Sequence, residues 1–303
     1  MVNSGSNTVS LLLGNGDGTF RGQVEYPTGN NPVGVVAGDF NSDGRVDLAV
    51  VNENDATVSI LLGNGDGTFS SEAPVAVGEN PVALAGGDFN GDGKIDLITL
   101  SNNGTQYNPA TVTALLSKGD GTFTRLDSNA AVGYRFWAIV VGDFNQDGVL
   151  DAVILTGPNE IAFLRGGGDG TFQESGAALI DPNVNDYFAA TTLVAADFNR
   201  DGKLDLVAGG EYTAAVLLGA GDGTFRLQPY LGHSPDPSIT ERNSSLDGNA
   251  ALRKRANTGC GALGGRSDLA EIFHPLGAQL LGDRSYAQRG QAFPDRIPLA
   301  VRH

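Results

Sequence analysis

Along the first 231 residues, short apolar runs alternate with loops rich in Asp, Asn and Gly. One stretch reads Val33 to Ala37, Leu48 to Val51, Thr57 to Leu62 and Ala73 to Val77. Runs this brief, rich in Val, Leu and Thr and closed off by turn formers, predict strands and not long helices. Four strands pass before the pattern starts again.

Two signatures mark each repeat. Gly-Asp-Phe-Asn-x-Asp-Gly-x-x-Asp, with Ala for the first Gly in the last copy, opens at Asp39, Asp88, Asp143 and Asp197, in steps of 49, 55 and 54 residues. Gly-Asp-Gly-Thr-Phe ends at Phe20, Phe69, Phe123, Phe172 and Phe225. The last four of these follow an aspartate signature by 28 to 35 residues, so the two interleave. Four short strands in roughly 50 residues, repeated in constant order, predict the blades of a β-propeller, whose edges are protected by their neighbours. The expected fold class is all-β, with blades of four antiparallel strands and about four and a half blades in all.

The repeats divide into a half blade at 1–30 and blades at 31–79, 80–135, 136–189 and 190–231. Val2-Asn3 and Thr8-Val9-Ser10 align with Val51-Asn52 and Thr57-Val58-Ser59 at an offset of 49, which predicts that the sequence enters mid-blade with the first two strands missing. An open or incomplete ring, prone to association, is the expectation. From 232 to 303 the repeats stop, and this non-repeat tail is expected to be irregular, disordered or poorly packed. A readthrough in a shifted frame and a small separate domain stay open for it.

Charge narrows the partners. The chain has a net charge of −16, and residues 1–231 hold 10 basic against 28 acidic side chains. Such acidity repels nucleic acid and anionic membrane surfaces, and favours cations. The lone Cys260 excludes an internal disulfide and a cysteine zinc cluster. No apolar run reaches the roughly 18 residues of a membrane span, so no membrane insertion is expected. Nor does a secretion signal open the chain, because Met1 leads straight into Val2-Asn3-Ser4-Gly5-Ser6.

The aspartate signatures have the composition of metal loops. Each places acids at positions one, five and nine, Asn at three and Gly at six. The first holds Asp39, Asn41, Asp43 and Asp47, and the second Asp88, Asn90, Asp92 and Asp96. The third holds Asp143, Asn145, Asp147 and Asp151, and the fourth Asp197, Asn199, Asp201 and Asp205. The carbonyls of Arg45, Lys94, Val149 and Lys203 at position seven complete the expected ligands. Hard oxygens at alternate positions, with Gly allowing a sharp bend, suit Ca²⁺. An EF-hand would need Glu at position twelve, but Val50, Thr99, Ile154 and Ala208 stand there, as a strand requires. About four Ca²⁺ are expected, in a structural role. The Gly-Asp-Gly-Thr-Phe segments, with Asp17, Asp66, Asp120, Asp169 and Asp222, read as hairpin turns with a core Phe.

With these loops in register with the glycine turns, residues 2 to 231 resemble the FG-GAP and VCBS repeats of the integrin-α type. The literal Phe-Gly and Gly-Ala-Pro marks of integrin blades are missing, and that family usually closes about seven blades. The resemblance implies a calcium-binding propeller, secreted or at the cell surface, with a role in adhesion.

No histidine lies in residues 1–231, so a Ser-His-Asp triad cannot be built there. No Gly-Lys-Ser/Thr phosphate loop and no His-Glu-x-x-His zinc motif is present either. The expected role is a non-enzymatic scaffold for protein or glycan recognition. The alternative is a partial module of a larger secreted propeller enzyme, such as a polysaccharide lyase. Strand order puts the aspartate loops and glycine turns on one rim. The opposite rim carries the variable loops, with Tyr107, Tyr134, Arg135, Trp137, Tyr187 and Tyr212 near it, and is the expected ligand surface. Inner-strand packing is the favoured reading for Trp137.

Overall fold

A computed structural model describes residues 1–102, 110–128, 136–157, 159–180, 190–210 and 214–228. Its described elements are all strands. The first sheet pairs β1 (Val2–Asn3), β2 (Thr8–Leu11) and β3 (Val24–Pro27). The second runs β4 (Pro32–Gly38), β5 (Asp47–Asn52), β6 (Thr57–Gly63) and β7 (Phe69–Ser71), and β8 (Val75–Ala76) returns to pair with β6.

Three sheets of four follow. The third holds β9 (Pro81–Gly87), β10 (Asp96–Ser101), β11 (Thr111–Ser117) and β12 (Phe123–Ser128). The fourth holds β13 (Ala138–Gly142), β14 (Asp151–Gly157), β15 (Glu160–Gly166) and β16 (Phe172–Leu179). The fifth holds β17 (Ala190–Ala196), β18 (Asp205–Gly210), β19 (Ala214–Gly219) and β20 (Phe225–Leu227). Every pairing is antiparallel and, β8 on β6 apart, joins consecutive strands, which is the meander of a propeller blade.

Three details go beyond the expected strands. The fourth strand of the second sheet starts at the turn Phe, Phe69, and is broken into β7 and β8. The first sheet retains the end of a second strand, since Val2 pairs with Val9 and Asn3 with Thr8. No strand of the fifth sheet pairs with the first among the described residues, so the ring is not closed.

The cores lie between sheets. First strands pack side by side, β4 against β9, β9 against β13 and β13 against β17. A second strand with a sheet on each side is covered on both faces, and all six residues of β10 are buried. That explains the unbroken apolar run Leu97-Ile98 in place of strict alternation. Leu97 points into the core shared with the preceding sheet, and Ile98 into the core shared with the next. The period of two is still there, but both faces are inside.

Candidate metal centre

Each aspartate signature forms the loop between first and second strands, and each glycine turn joins the third and fourth. Strand order therefore sets both on one rim, as the sequence predicts. The loop path needs two left-handed residues. Gly44, Gly93, Gly148 and Gly202 at position six have φ of 82, 82, 85 and 82°, a region that glycine enters at little cost. Position four is left-handed too, in Ser42, Gly91, Gln146 and Arg200. The sequence does not single out this second position, because only one of the four residues is glycine.

Those turns gather side-chain oxygens. The position-five N–H is shared by two acceptors: Asp43 N donates to Asp39 Oδ1 and Asn41 Oδ1, each at 3.1 Å. Asp92 N does the same to Asp88 Oδ1 at 3.1 Å and Asn90 Oδ1 at 2.9 Å. The third loop repeats it on Asp143 and Asn145, and the fourth on Asp197 and Asn199. The other oxygen of the position-one aspartate accepts the position-six N–H at 2.8 to 2.9 Å in all four loops. The position-five carboxylates accept the position-seven N–H and, in three loops, face a cation. Arg45 stands 3.6 Å from Asp43, Lys94 2.9 Å from Asp92 and Arg165 2.9 Å from Asp147.

Position nine is built differently. Asp47, Asp96, Asp151 and Asp205 are fully buried. Asp47 accepts Phe40 N–H at 2.8 Å and Gly63 N–H at 2.7 Å, tying its loop to the end of the third strand. Asp96 accepts Phe89 and Ser117, Asp151 accepts Phe144 and Gly166, and Asp205 accepts Phe198 and Gly219 in the same way. Burial raises the Asp47 carboxyl above its ordinary range, against the pull of these two N–H donors. Burial also pushes Asp96 and Asp151 up to about 6, with the neighbouring loop aspartates adding to the rise.

The donor chemistry fits a hard cation. Asp, Asn and main-chain carbonyl oxygens are the ligands Ca²⁺ prefers, and a carboxylate oxygen that accepts one N–H keeps a lone pair to offer. Among the described residues no three acid, His or Cys side chains are drawn close enough to hold a metal by themselves. A cation held there would have to draw on the Asn oxygen and the position-seven carbonyl as well.

The five glycine turns close hairpins, as expected, but only Phe172 of their phenylalanines is buried in the core. Asp17, Asp66, Asp120, Asp169 and Asp222 each accept the backbone N–H and the hydroxyl of the Thr two residues on. Those bonds, from the hydroxyl above all, hold the five carboxyls below the usual range. Their phenylalanines differ: Phe172 is buried, while Phe20 is 43% exposed. On the opposite rim, Trp137 is 42% exposed and not packed away. Its backbone N–H extends the β13–β14 ladder to Leu155, and that bond fixes the main chain without enclosing the ring. Tyr107, Tyr134, Arg135, Tyr187, Tyr212 and the tail from 229 lie outside the described residues.

A family profile of FG-GAP-like repeats matches residues 1–50, 39–99, 88–154 and 144–208. The chain belongs to the FG-GAP repeat family. No characterised protein sequence matches it at a significant level. Among solved structures it is similar to a lectin of Agrocybe aegerita that recognises non-reducing terminal N-acetylglucosamine, at 19% identity and a TM-score of 0.51. That match covers 75% of this chain but only 62% of the lectin. A protein of unknown function from Desulfotomaculum acetoxidans matches at 14% identity over 77% of this chain and 78% of its own, with a TM-score of 0.44. A protein from Lactobacillus plantarum matches at 19% identity over 70% of this chain and 60% of its own, with a TM-score of 0.49.

Proposed function

We propose that this FG-GAP repeat chain is a calcium-stabilised propeller scaffold that recognises a glycan or protein outside the cell and catalyses no reaction. The observation that carries the calcium reading is the fourfold loop geometry, in which the position-five N–H draws an Asp and an Asn oxygen together beside the position-five carboxylate. Asp39, Asn41, Asp43, Asp47 and the Arg45 carbonyl would hold the first ion, and the matching residues of the other loops the rest. Bound there, Ca²⁺ would offset the mutual repulsion of three carboxylates. Extracellular modules bind Ca²⁺ at about 10⁻⁴ to 10⁻³ M, the range in which such exposed loops would work.

Recognition is assigned to the rim opposite the calcium loops. The exposed Trp137 supports it, since an aromatic face with a polar edge suits sugars and protein surfaces alike. The lectin of like fold makes a glycan with terminal N-acetylglucosamine the first ligand to test.

Bound-metal analysis with calorimetry tests the first half, and about four Ca²⁺ per chain are expected. Fewer than three would count against the reading. A glycan array tests the second half, with Trp137→Ala expected to weaken any hit. Release of unsaturated sugars from a polysaccharide would overturn the non-enzymatic assignment.

A further inference from the structure

Successive complete sheets are joined by one device, repeated with the same atoms. The second Gly of the glycine turn donates its N–H to the Phe carbonyl of the preceding aspartate loop: Gly121 to Phe40 at 3.2 Å, Gly170 to Phe89 at 3.0 Å and Gly223 to Phe144 at 3.2 Å. The two phenylalanines meet edge to face, as Phe40 with Phe123, Phe89 with Phe172 and Phe144 with Phe225. In the first two of these joints a third-strand leucine, Leu62 or Leu116, lies against the same Gly.

Both halves of this joint recur unmated at the ends of the series. The Gly18 N–H and the Phe198 carbonyl find no partner among the described residues. Phe40, Phe89 and Phe144 are buried, whereas Phe198 is only half-buried and meets no described ring. Of the eight large apolar side chains exposed among the described residues, six lie in residues 1–46, and Leu12, Phe20 and Val24 of these belong to the first sheet and its hairpin. That concentration marks one end of the series as an uncovered packing face.

We propose that a second copy of this chain docks head to tail, its Gly16-Asp-Gly-Thr-Phe20 turn seating on the Phe198 loop and Leu218 of the fifth sheet. The three internal joints are the template, so the contact continues an interface the chain already makes. A detail of the fifth sheet favours the β1–β3 sheet as the occupant. Gly38, Gly87 and Gly142 admit Ile95, Leu150 and Leu204 of the following loop, and an added Cβ would lie within 3.1 Å of each. Ala196 replaces that glycine in the last sheet. A sheet with its own aspartate loop would bring a bulky side chain against this methyl, but β1–β3 carries no such loop. The contact is heterologous, so repeated docking closes a ring or grows a chain.

Sedimentation velocity on the full chain over a wide concentration range tests this, with and without chelator, because the proposal does not rest on calcium. Reversible association is expected. Phe20→Asp and Leu218→Asp should each weaken it roughly tenfold or more, by losing an aromatic pair or an apolar seat. Val24→Lys, on an exposed side chain, checks the first end independently of Phe20. Mixing the Phe20→Asp and Leu218→Asp variants should give a 1:1 pair, since each keeps the end the other lacks. A wild-type chain monomeric throughout would show the end covered by its own tail or by nothing, and would overturn the proposal. Variants that associate like the wild type, or a mixture that fails to pair, would overturn it as well.

Discussion

Asp96 Oδ1 accepts the Ser117 backbone N–H at 2.7 Å, and through that bond a loop residue holds the end of a strand 21 positions away. Its other oxygen accepts Phe89 N–H at 3.0 Å. Position nine is thus a staple between the aspartate loop and the glycine hairpin, whatever else it binds. Asp96→Ala leaves two buried N–H groups without acceptors and should cost about 2–4 kcal/mol. Asp92→Ala, which removes an exposed partner of Lys94, should cost far less in chelator. Urea unfolding of the two variants side by side checks the contrast.

The raised carboxyls set a pH dependence with a definite sign. Asp96 and Asp151 titrate near 6 in the folded protein and near their ordinary 3.8 when unfolded. Between those values the folded state binds more protons, so in metal-free protein their contribution is fully present below 3.8 and is lost as pH rises through about 6. The urea midpoint in chelator is therefore expected to be higher at pH 5 than at pH 7.5. Saturating Ca²⁺ should flatten or reverse that slope, because a cation favours the charged carboxylates. A midpoint in chelator that climbs steadily from pH 5 to 7.5 would contradict this assignment.

Backbone conformation supplies a test free of contacts. An added Cβ at Gly93 would meet nothing within 4 Å, yet its φ is +82°. Gly93→Ala should cost about 1–2 kcal/mol from the left-handed backbone alone. The converse holds at position four, where Arg200 sits at φ 63° in a place that Gly91 fills in the second loop. Arg200→Gly should therefore gain up to about 1 kcal/mol, read as an upward shift in Tm.

The parts of this fold that could be read from sequence are those fixed by local chemistry. Gly44 and its three counterparts mark a bend within one loop, and Thr57 to Leu62 reads as a strand from its own residues. The staple on Asp47 could not be read in the same way, since its acceptor role depends on Gly63, which only sheet pairing brings near. From spacing, Asp47 reads as one more ligand of equal rank with Asp39 and Asp43. The exposure of Trp137 was hidden for a like reason, since burial depends on what packs against a side chain and not on the segment alone. The break between β7 and β8, by contrast, falls at Pro74, which has no N–H to give the ladder.

The joints between sheets allow one motif to be compared with itself. Phe172 and Phe20 both close a Gly-Asp-Gly-Thr-Phe turn, yet Phe172 is buried with its ring centroid 5.3 Å from Phe89, and Phe20 is 43% exposed. Phe172→Ala should cost about 3–5 kcal/mol, the range for emptying a buried aromatic site. Phe20→Ala, measured at concentrations too low for association, should stay within about 0.5 kcal/mol, as exposed substitutions do. Because each sheet touches mainly its neighbours, the damage from Phe172→Ala should be confined to one joint. Hydrogen exchange should then quicken in β9 to β16, on either side of the Phe89 contact, while β4 to β6 keep their protection. Equal loss of protection along the whole series would show that the sheets unfold as one unit, and that the stacking is more cooperative than nearest-neighbour contacts imply.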